Sequence, residues 1–537
     1  MTSTTPEALD EGPTFLGHPR GLFVLFFAEM WERFSYYGMR AILIFYLVRY
    51  WLFSEAQSNV IYGAYTALVY ITPVLGGYLA DRYLGQRKAV LFGAVLLAIG
   101  EVALAFTGTG TAASHPSVHL FWFALAIIIV GSGFLKANIS VIVGQLYART
   151  DVRRDGAYTI FYMGINVGAT LGTFAVGYLG ETFGWFWGFG AAGLGMLLGL
   201  AVFMLGKPAL RGRGESTNPQ SLERKVGGIK FEWVLYALSA LSTVVLWLLL
   251  QYQSVVGWLL LVSGIALLGY ILFVASKLAK EDRERIFAIV FLVALQPVFW
   301  GLFEQAGGSM NLFTDHFVNR NILGVNVLTS FFQSINPIYI VLLGPLFAGL
   351  WTFLGRRKLE PSTPAKFGLA LLQMGLAFLV LVWGAGLAGV GTPTPVIYIF
   401  LFYLLSTTGE LCLSPVGLSA MNRLAPVQMA SLIMGAWFFA TAGGNFVAGL
   451  IGQATGAGEG TGESASQAAY LNVYQTIGLI TMGIGVAVVL VSPLVKRLMH
   501  MDTLQDRDVM AGQAQLAEPE AAGLDTGGEL KPGEGRA

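Results

Sequence analysis

The first apolar stretch of the chain reads GLFVLFFAEMWERFSYYGMRAILIFYLV, from Gly21 to Val48, and carries charge at its centre. As one helix, this stretch is long enough to cross a hydrocarbon core about 30 Å thick. Its central glutamates and arginines would together cost on the order of 10 kcal/mol if they faced lipid. The stretch therefore predicts a membrane helix with one polar face. The charged residues are Glu29, Glu32, Arg33 and Arg40.

Helical geometry places these charges on one face. At about 100° per residue, Arg33 lies about 40° from Glu29, Tyr36 about −20° and Arg40 about 20°. Glu32 and Tyr37 flank this group, whereas residues such as Phe27 and Ile42 lie on the opposite face. The pattern favours a helix whose polar face points into a protein interior.

Similar apolar runs recur along the whole chain. Of 537 residues, 55% are hydrophobic and only 12% are charged, which excludes an ordinary soluble domain. We predict an all-α polytopic membrane protein, because only helices satisfy the backbone of such runs in lipid. The predicted transmembrane helices number fourteen: 21–50, 58–80, 88–107, 119–147, 157–180, 185–205, 231–250, 254–276, 286–306, 327–354, 366–387, 395–421, 430–453 and 469–495.

Basic residues alternate between the loops. They cluster in the loops near 82–88, 149–154, 206–230, 277–285 and 356–358, whereas the opposite loops carry Arg320 and essentially no others. The positive-inside rule then places both termini in the cytoplasm. The predicted parts are an N-terminal tail (1–20), a six-helix bundle (21–205), a linker (206–230), an inserted two-helix hairpin (231–276), a second six-helix bundle (286–497) and a disordered cytoplasmic tail (502–537).

This plan of six, two and six helices resembles the major facilitator fold, in which two six-helix bundles surround a central cavity. The segment GGYLADRYLGQRKA, Gly76 to Ala89, is similar to the loop signature of that superfamily. Its glycines permit close approach of helices, and Asp81 and its basic neighbours can tie helix ends together. An ordinary positive-inside loop is the alternative interpretation of this segment.

Ionisable residues also stand within other predicted spans, at Lys136, Glu304 and Glu410. Such charges normally face a partner or a water-filled cavity. For a single residue, a role in holding helices together or a place at the membrane interface is an equal alternative. Four charged helices together favour a shared polar cavity.

Two motifs identify a family. The segment EMWERFSYYG, Glu29 to Gly38, resembles the Glu-x-x-Glu-Arg-Phe-x-Tyr-Tyr-Gly signature of the proton-dependent oligopeptide transporters, and FYMGINVG, Phe161 to Gly168, resembles their fifth-helix signature. The resemblance implies proton-coupled symport of di- and tripeptides into the cell by alternating access. A proton-coupled carrier of nitrate or another small anion, from the same family, is the alternative.

The resemblance also implies roles for particular residues. Arg33 and Lys136 would hold the peptide carboxylate, and Glu410 would hold its ammonium group. The other residues that the family pattern or their chemistry suggests for the substrate site are Tyr36, Tyr37, Tyr70, Asn166, Trp300, Asn336, Ser414, Trp437 and Phe438. For the aromatic residues, plain helix packing is the more common alternative.

Proton coupling is expected at Glu29, Glu32 and Glu304, with Arg33 as the fixed partner, because arginine does not release its proton. No histidine stands between Val60 and Ala80, where animal members of the family use one. Two charge pairs would act as gates: Arg40 with Glu304, and Lys136 with Glu410.

Other function classes lack support in the sequence. A single cysteine, Cys412, excludes an intramolecular disulfide, and the five histidines form no cluster of metal-ligand spacing. No nucleophile with a base stands at membrane depth, so an enzyme is not expected. We expect no cofactor apart from protons, no nucleic-acid partner, a monomer, and a place in the inner membrane of a bacterium.

Overall fold

The computed structural model describes residues 13–109, 118–148, 151, 153–216, 218–389, 391–456, 460 and 462–501. The predicted disordered tail and residues 1–12 of the N-terminal tail lie outside these ranges. The helices are α1 (Arg20–Arg49), α2 (Glu55–Leu79), α3 (Gln86–Thr107), α4 (Val118–Gln145), α5 (Arg154–Phe183), α6 (Trp185–Leu205), α7 (Pro219–Glu223), α8 (Phe231–Gln251), α9 (Gln253–Ala275), α10 (Lys280–Ala294), α11 (Gln296–Phe303), α12 (Ser309–Phe317), α13 (Ile335–Arg356), α14 (Thr363–Ala388), α15 (Ile397–Leu424), α16 (Ala430–Thr455) and α17 (Glu463–Leu498).

Short elements complete the described chain. The two-residue strands pair as β1 (Thr14–Phe15) with β2 (His18–Pro19), β3 (Lys225–Val226) with β4 (Ile229–Lys230), β5 (Val318–Asn319) with β8 (Thr394–Pro395), and β6 (Asn321–Ile322) with β7 (Val325–Asn326). The pair β5 and β8 is parallel and the others are antiparallel. A π-helical turn (Ala80–Leu84) follows α2, and 3-10 turns stand at Glu304–Gly307 and Thr329–Ser334.

The fourteen-helix prediction is confirmed. Within the described residues, 13 helical segments are long and apolar enough to cross a membrane. The remaining one is α1, whose 30 residues span about 45 Å but whose central charges lower its apolarity. The segments Lys280–Gly307 and Thr329–Arg356 each combine a helix with a 3-10 turn.

The helices form two bundles and a hairpin. The helices α1 to α6 pack on one another, and α10 to α17 form the second group. The hairpin of α8 and α9 lies at the outside, where α8 contacts α4 and α9 contacts α16. Only 11% of the most apolar window of α9 is buried, so its apolar surface faces lipid.

A proline divides the ninth span. The helix α10 ends at Ala294, and α11 begins at Gln296, with Pro297 in its first turn. Proline has no amide hydrogen for the carbonyl four residues earlier, so the regular ladder breaks there. The break lies about two turns before Glu304.

The loop after α2 fastens three helices to the linker. Gly85 has φ +75°, and a β-carbon there would collide with the backbone of Glu215 and Ser216. Gln86 donates to the Asp81 carboxylate at 2.8 Å and accepts from Gln145 of α4 at 3.3 Å. Asp81 therefore ties α2 to α3, as expected from the signature.

Close packing joins the two bundles at one end. A β-carbon built on Gly63 of α2 would lie 2.6 Å from the Cα atom of Gly449 of α16. Helices approach this closely only where small residues face each other. We call this end, where α1 ends and α2 begins, the sealed end.

Candidate functional site: a charged interface between two bundles

The charged face of α1 is buried. Glu29 and Glu32 are each 1% exposed, and the side chain of Arg33 is 12% exposed. The Arg33 Nε donates to Glu29 Oε1 at 2.7 Å and lies 3.1 Å from Glu32 Oε2. The second contact is out of line for a hydrogen bond, so both Glu32 oxygens lack a hydrogen-bond partner within the described residues. The guanidinium group of Arg33 thus forms a hydrogen bond with Glu29 and only an ion-pair contact with Glu32.

Lys136 of α4 faces aromatic rings of the same bundle. Its Nζ lies 3.6 Å from the centroid of the Tyr36 ring and 5.4 Å from that of Tyr70. Tyr37 packs edge-on against Tyr36, with ring centroids 5.2 Å apart. Aromatic faces stabilise an ammonium group without neutralising it. Lys136 makes no ion pair within 4.0 Å among the described residues, so its amino group is available to an anion.

A carboxylate stands on the second bundle. Asn336 of α13 donates to Glu410 Oε2 of α15 at 3.0 Å and to the Thr407 hydroxyl at 3.0 Å. Glu410 is partly exposed and makes no ion pair within 4.0 Å among the described residues. Tyr162 of α5, on the first bundle, is 48% exposed and lies within electrostatic range of Glu410. Asn166, one turn later, donates to the Tyr162 carbonyl at 3.0 Å.

The structure brings Arg40 and Glu304 together. The Arg40 Nη2 donates to Glu304 Oε2 across the bundle interface, and its Nε donates to the Tyr62 hydroxyl. Arg40 is 6% exposed and Glu304 is 5% exposed. The pair is therefore a desolvated ion pair in which each charge needs the other.

Further contacts lie between Arg40 and the sealed end. Arg49 forms an ion pair with Asp315 of α12, and Glu55 Oε2 accepts from the Tyr470 hydroxyl at 2.5 Å. Burial raises the pKa of Asp315, but the Arg49 charge and the hydrogen bonds from Arg49 and Thr329 outweigh it, so that this pKa is lowered overall. These contacts close one end of the bundle interface.

The opposite end is not closed by the second predicted gate. No ion pair within 4.0 Å joins Lys136 to Glu410 among the described residues. Both side chains are partly exposed. The structure thus shows one predicted pair formed and the other separated.

The aromatic residues predicted for the substrate site differ in their exposure. Trp437 is 3% exposed and packs against Gly417 and Phe367, so it contributes mainly to helix packing. Trp300 is half-buried and donates to Gln296 at 2.5 Å, whereas Phe438 is 44% exposed. Ser414 is half-buried on α15, one turn after Glu410.

Comparison with known proteins identifies the family. A model of the POT family matches residues 87–468 of the chain. The chain belongs to the POT family.

This POT family member has close relatives among bacterial proteins. It is 36% identical over 463 residues to the peptide transporter YePEPT of Yersinia enterocolitica, covering 82% of this chain and 89% of the relative. It is 34% identical over 503 residues to the dipeptide and tripeptide permease A of Serratia proteamaculans, covering 93% and 96%. A crystal structure of the peptide transporter POT in complex with alafosfalin is 35% identical, with a TM-score of 0.78, and covers 91% of this chain and 97% of that one.

Two polar groups of this POT family member were missed by the sequence reasoning. Tyr62 of α2 accepts a hydrogen bond from Arg40. Its spacing of four residues from Thr66 and eight from Tyr70 puts the three hydroxyls on one helix face, which the sequence could have shown. Glu101 of α3 is 1% exposed, and its position six residues before the helix end resembles an interfacial charge in the sequence. Its burial is evident only from the packing of α4 and α6 on α3.

Proposed function

We propose that this protein carries di- and tripeptides into the cell together with protons, by alternating access between its two bundles. The observation that carries the proposal is the placement of opposite charges on opposite bundles. Arg33 and Lys136 belong to the first bundle, and Glu410 belongs to the second. A zwitterionic peptide presents one carboxylate and one ammonium group, so it can bridge the two bundles. Relatives named peptide transporters support this substrate class.

Bridging gives a physical basis for alternating access. A substrate that contacts both bundles binds best when they approach each other at the end where Lys136 and Glu410 are now apart. Such differential binding is what a ligand needs in order to shift a conformational equilibrium. The site-residue roles predicted from the sequence fit this arrangement, with Tyr36, Tyr37 and Tyr70 beside the cationic pole and Asn336 beside the anionic one.

Protons enter the cycle through buried carboxyl groups. Glu29 and Glu32 share the charge of Arg33, and a substrate carboxylate that pairs with Arg33 or Lys136 would withdraw that charge from them. Proton uptake by Glu29 or Glu32 then accompanies peptide binding. A proton on Glu304 would likewise weaken its pair with Arg40 and release the sealed end.

The distribution of basic loops supports placing both termini in the cytoplasm, and we further propose a monomer in the inner membrane of a bacterium. In this orientation the sealed end is external, and the end where Lys136 and Glu410 form no ion pair faces the cytoplasm. Transport then needs no cofactor other than protons, and the peptide leaves unhydrolysed.

The test is competition in proteoliposomes that hold an imposed pH gradient, acidic outside. Uptake of labelled dialanine should be inhibited by unlabelled di- and tripeptides, unaffected by tetrapeptides or nitrate, and abolished by a protonophore. The internal label should remain dialanine on chromatography. Competition by nitrate would favour the small-anion carrier, and labelled alanine inside would favour a peptidase.

A further inference from the structure

Glu101 is a buried carboxyl for which the transport scheme above has no role. It lies on α3, is 1% exposed, and its Oε2 atom has no hydrogen-bond partner among the described residues. No described arginine, lysine or histidine forms an ion pair with it. A carboxylate without a counter-charge is costly at membrane depth, so such residues are usually functional.

The surroundings of Glu101 are polar and directed toward α1. Ser35 of α1 is 2% exposed, and its hydroxyl lies near the Glu101 side chain. Glu32, three residues before Ser35, lies on the same side of α1, and the backbones of Glu32 and Glu101 both pack against α6, at Gly199 and Gly193. Tyr65 of α2 is 0% exposed and lies near both Glu101 and Glu32. Its hydroxyl has no hydrogen-bond partner among the described residues.

Neighbouring helices wall this group off from lipid. The backbone of Glu101 packs against Gly193 of α6, and Gly100 packs against Ile128 of α4. The sequence of α6 contains no titratable residue. On α4, Lys136 stands eight residues after Ile128, about 12 Å further along the helix. The polar groups nearest Glu101 are therefore Ser35 and Glu32 from α1 and Tyr65 from α2.

Glu101 also lies closer to the sealed end than Glu32 does. It precedes the end of α3 by six residues, about 9 Å, whereas Glu32 precedes the end of α1 by seventeen residues, about 25 Å. Ser35 and Tyr65 lie between these two levels. The oxygens of Glu101, Tyr65 and Glu32 that lack hydrogen-bond partners thus lie at increasing depth from the sealed end, in that order.

We propose that Glu101 is a proton-binding residue that receives protons from the sealed side and passes them to Glu32 by way of the Ser35 and Tyr65 hydroxyls. In each passage, neutral Glu101 gives one proton to a hydroxyl oxygen while that hydroxyl gives its own proton to ionised Glu32. A hydronium ion from the solution on the sealed side then returns one proton to Glu101 and becomes water. The proposal rests on the proton-coupled transport proposed above and assigns one of its steps.

The experiment compares two activities of the full-length protein in proteoliposomes: accumulation of labelled dialanine driven by a pH gradient, and counterflow exchange without a gradient. Glu101→Gln should lower accumulation at least tenfold, flatten its dependence on external pH, and leave exchange within about twofold of the wild type. Glu101→Asp should restore part of the accumulation. Thr107→Val, which removes another buried hydroxyl of α3, is the matched control and should change neither activity selectively.

Two results would overturn the proposal. One is accumulation by Glu101→Gln that equals the wild type in level and pH profile. The other is an equal loss of accumulation and exchange, since this is what a purely structural role produces. If wild-type protein does not accumulate dialanine at all, it is the proposed transport function that fails.

A second measurement uses wild-type protein, so it does not depend on whether Glu101→Gln folds. A hydrophobic carbodiimide reacts with protonated carboxyl groups within the membrane, and mass spectrometry locates the adduct. Glu101 should be labelled, with a yield that falls as the pH is raised from 5 to 9. Absence of the Glu101 adduct throughout this range would show that it binds no exchangeable proton.

Discussion

The guanidinium group of Arg40 donates to the carboxylate of Glu304 across the interface of the two bundles, where both side chains are almost fully buried. Each residue comes from a different bundle, so the pair exists only while the sealed end is closed. Breaking a buried ion pair by removing one partner costs about 3–5 kcal/mol, because the remaining charge stays in a low-dielectric site. This one contact can therefore dominate the energy difference between the closed and open arrangements.

Glu304→Gln should shift the sealed end toward the open arrangement. Glutamine keeps the shape but leaves Arg40 without a counter-charge, for a loss of about 3 kcal/mol or roughly a hundredfold in population. Spin labels would be attached to cysteines placed at the exposed positions Gln57 and Gln453, in a Cys412→Ser background. Double electron–electron resonance should then report a longer distance between them. Glu181→Gln is the control, because its side-chain oxygen can still accept from the Ser330 amide. An unchanged distance distribution in Glu304→Gln would contradict this account of the closed end.

The Arg49–Asp315 pair should be insensitive to pH over the physiological range. The Asp315 pKa lies below its ordinary value of about 3.9, so its contribution is fully present above that value and is lost only as the pH falls through the lowered pKa. Asp315→Asn should open the sealed end by about 1 kcal/mol, roughly fivefold, because the Arg49 side chain is 42% exposed. The same spin-label distances would show an equal shift at pH 8 and pH 5.5. A shift that vanishes at pH 5.5 would mean that Asp315 titrates there.

Gly63→Ala should hinder closure by steric contact alone. A β-carbon at Gly63 would lie 2.6 Å from the Cα atom of Gly449, so α2 and α16 must separate. Overpacking of this kind costs about 1–3 kcal/mol. Thermal unfolding and the spin-label distances would both change. Gly435→Ala on α16, whose β-carbon has no neighbour within 4 Å, should leave both unchanged; an equal effect there would remove the steric explanation.

Glu32→Gln should uncouple transport from the proton gradient. Both Glu32 oxygens lack hydrogen-bond partners within the described residues, so glutamine can replace the carboxyl group without breaking a hydrogen bond and removes only the 3.1 Å ion pair with Arg33. Counterflow exchange of dialanine should persist while gradient-driven accumulation falls to the equilibrium level. Glu29→Gln serves as the comparison: Glu29 accepts the strong bond from Arg33, so its loss should also raise the KM for dialanine. Accumulation retained by Glu32→Gln would move the proton site elsewhere.

The fold could be predicted from the sequence because lipid leaves few choices. Runs of about twenty apolar residues must become helices, and the ends were correct to within a few residues for most spans. The largest differences are six residues, at the start of the ninth span, which begins at Lys280, and at the start of the fourteenth, which begins at Glu463. Two departures from a plain helix were not predicted: the second span continues through a π-helical turn to Leu84, and the ninth breaks beside Pro297. Such local breaks depend on backbone hydrogen bonds that apolar periodicity does not encode.

The sequence predicted which charged residues form the site, but not which of the two gate ion pairs is formed in this structure. The motif on α1 led to Arg33, Glu29 and Glu32, and the structure places them in contact. Which ion pair is formed and which is separated depends on the arrangement of the bundles, and one sequence specifies both arrangements. Glu101 escaped notice because a lone carboxylate near a helix end can lie at the membrane surface, and only packing shows otherwise.

Glu410→Ala should abolish uptake of dialanine. Glu410 is the carboxylate that the described residues offer at the second pole, and Asn336 donates to its Oε2 atom at 3.0 Å. Loss of a charge-assisted contact with the peptide ammonium group should lower uptake at least a hundredfold, about 3 kcal/mol. The variant should also lose its preference for dialanine over N-acetyl-dialanine, which lacks that ammonium group. Glu410→Gln is the matched control for folding, because its oxygen still accepts from Asn336, and it should bind dialanine as weakly as the alanine variant. Uptake at the wild-type rate by Glu410→Ala would rule out recognition by two opposite poles.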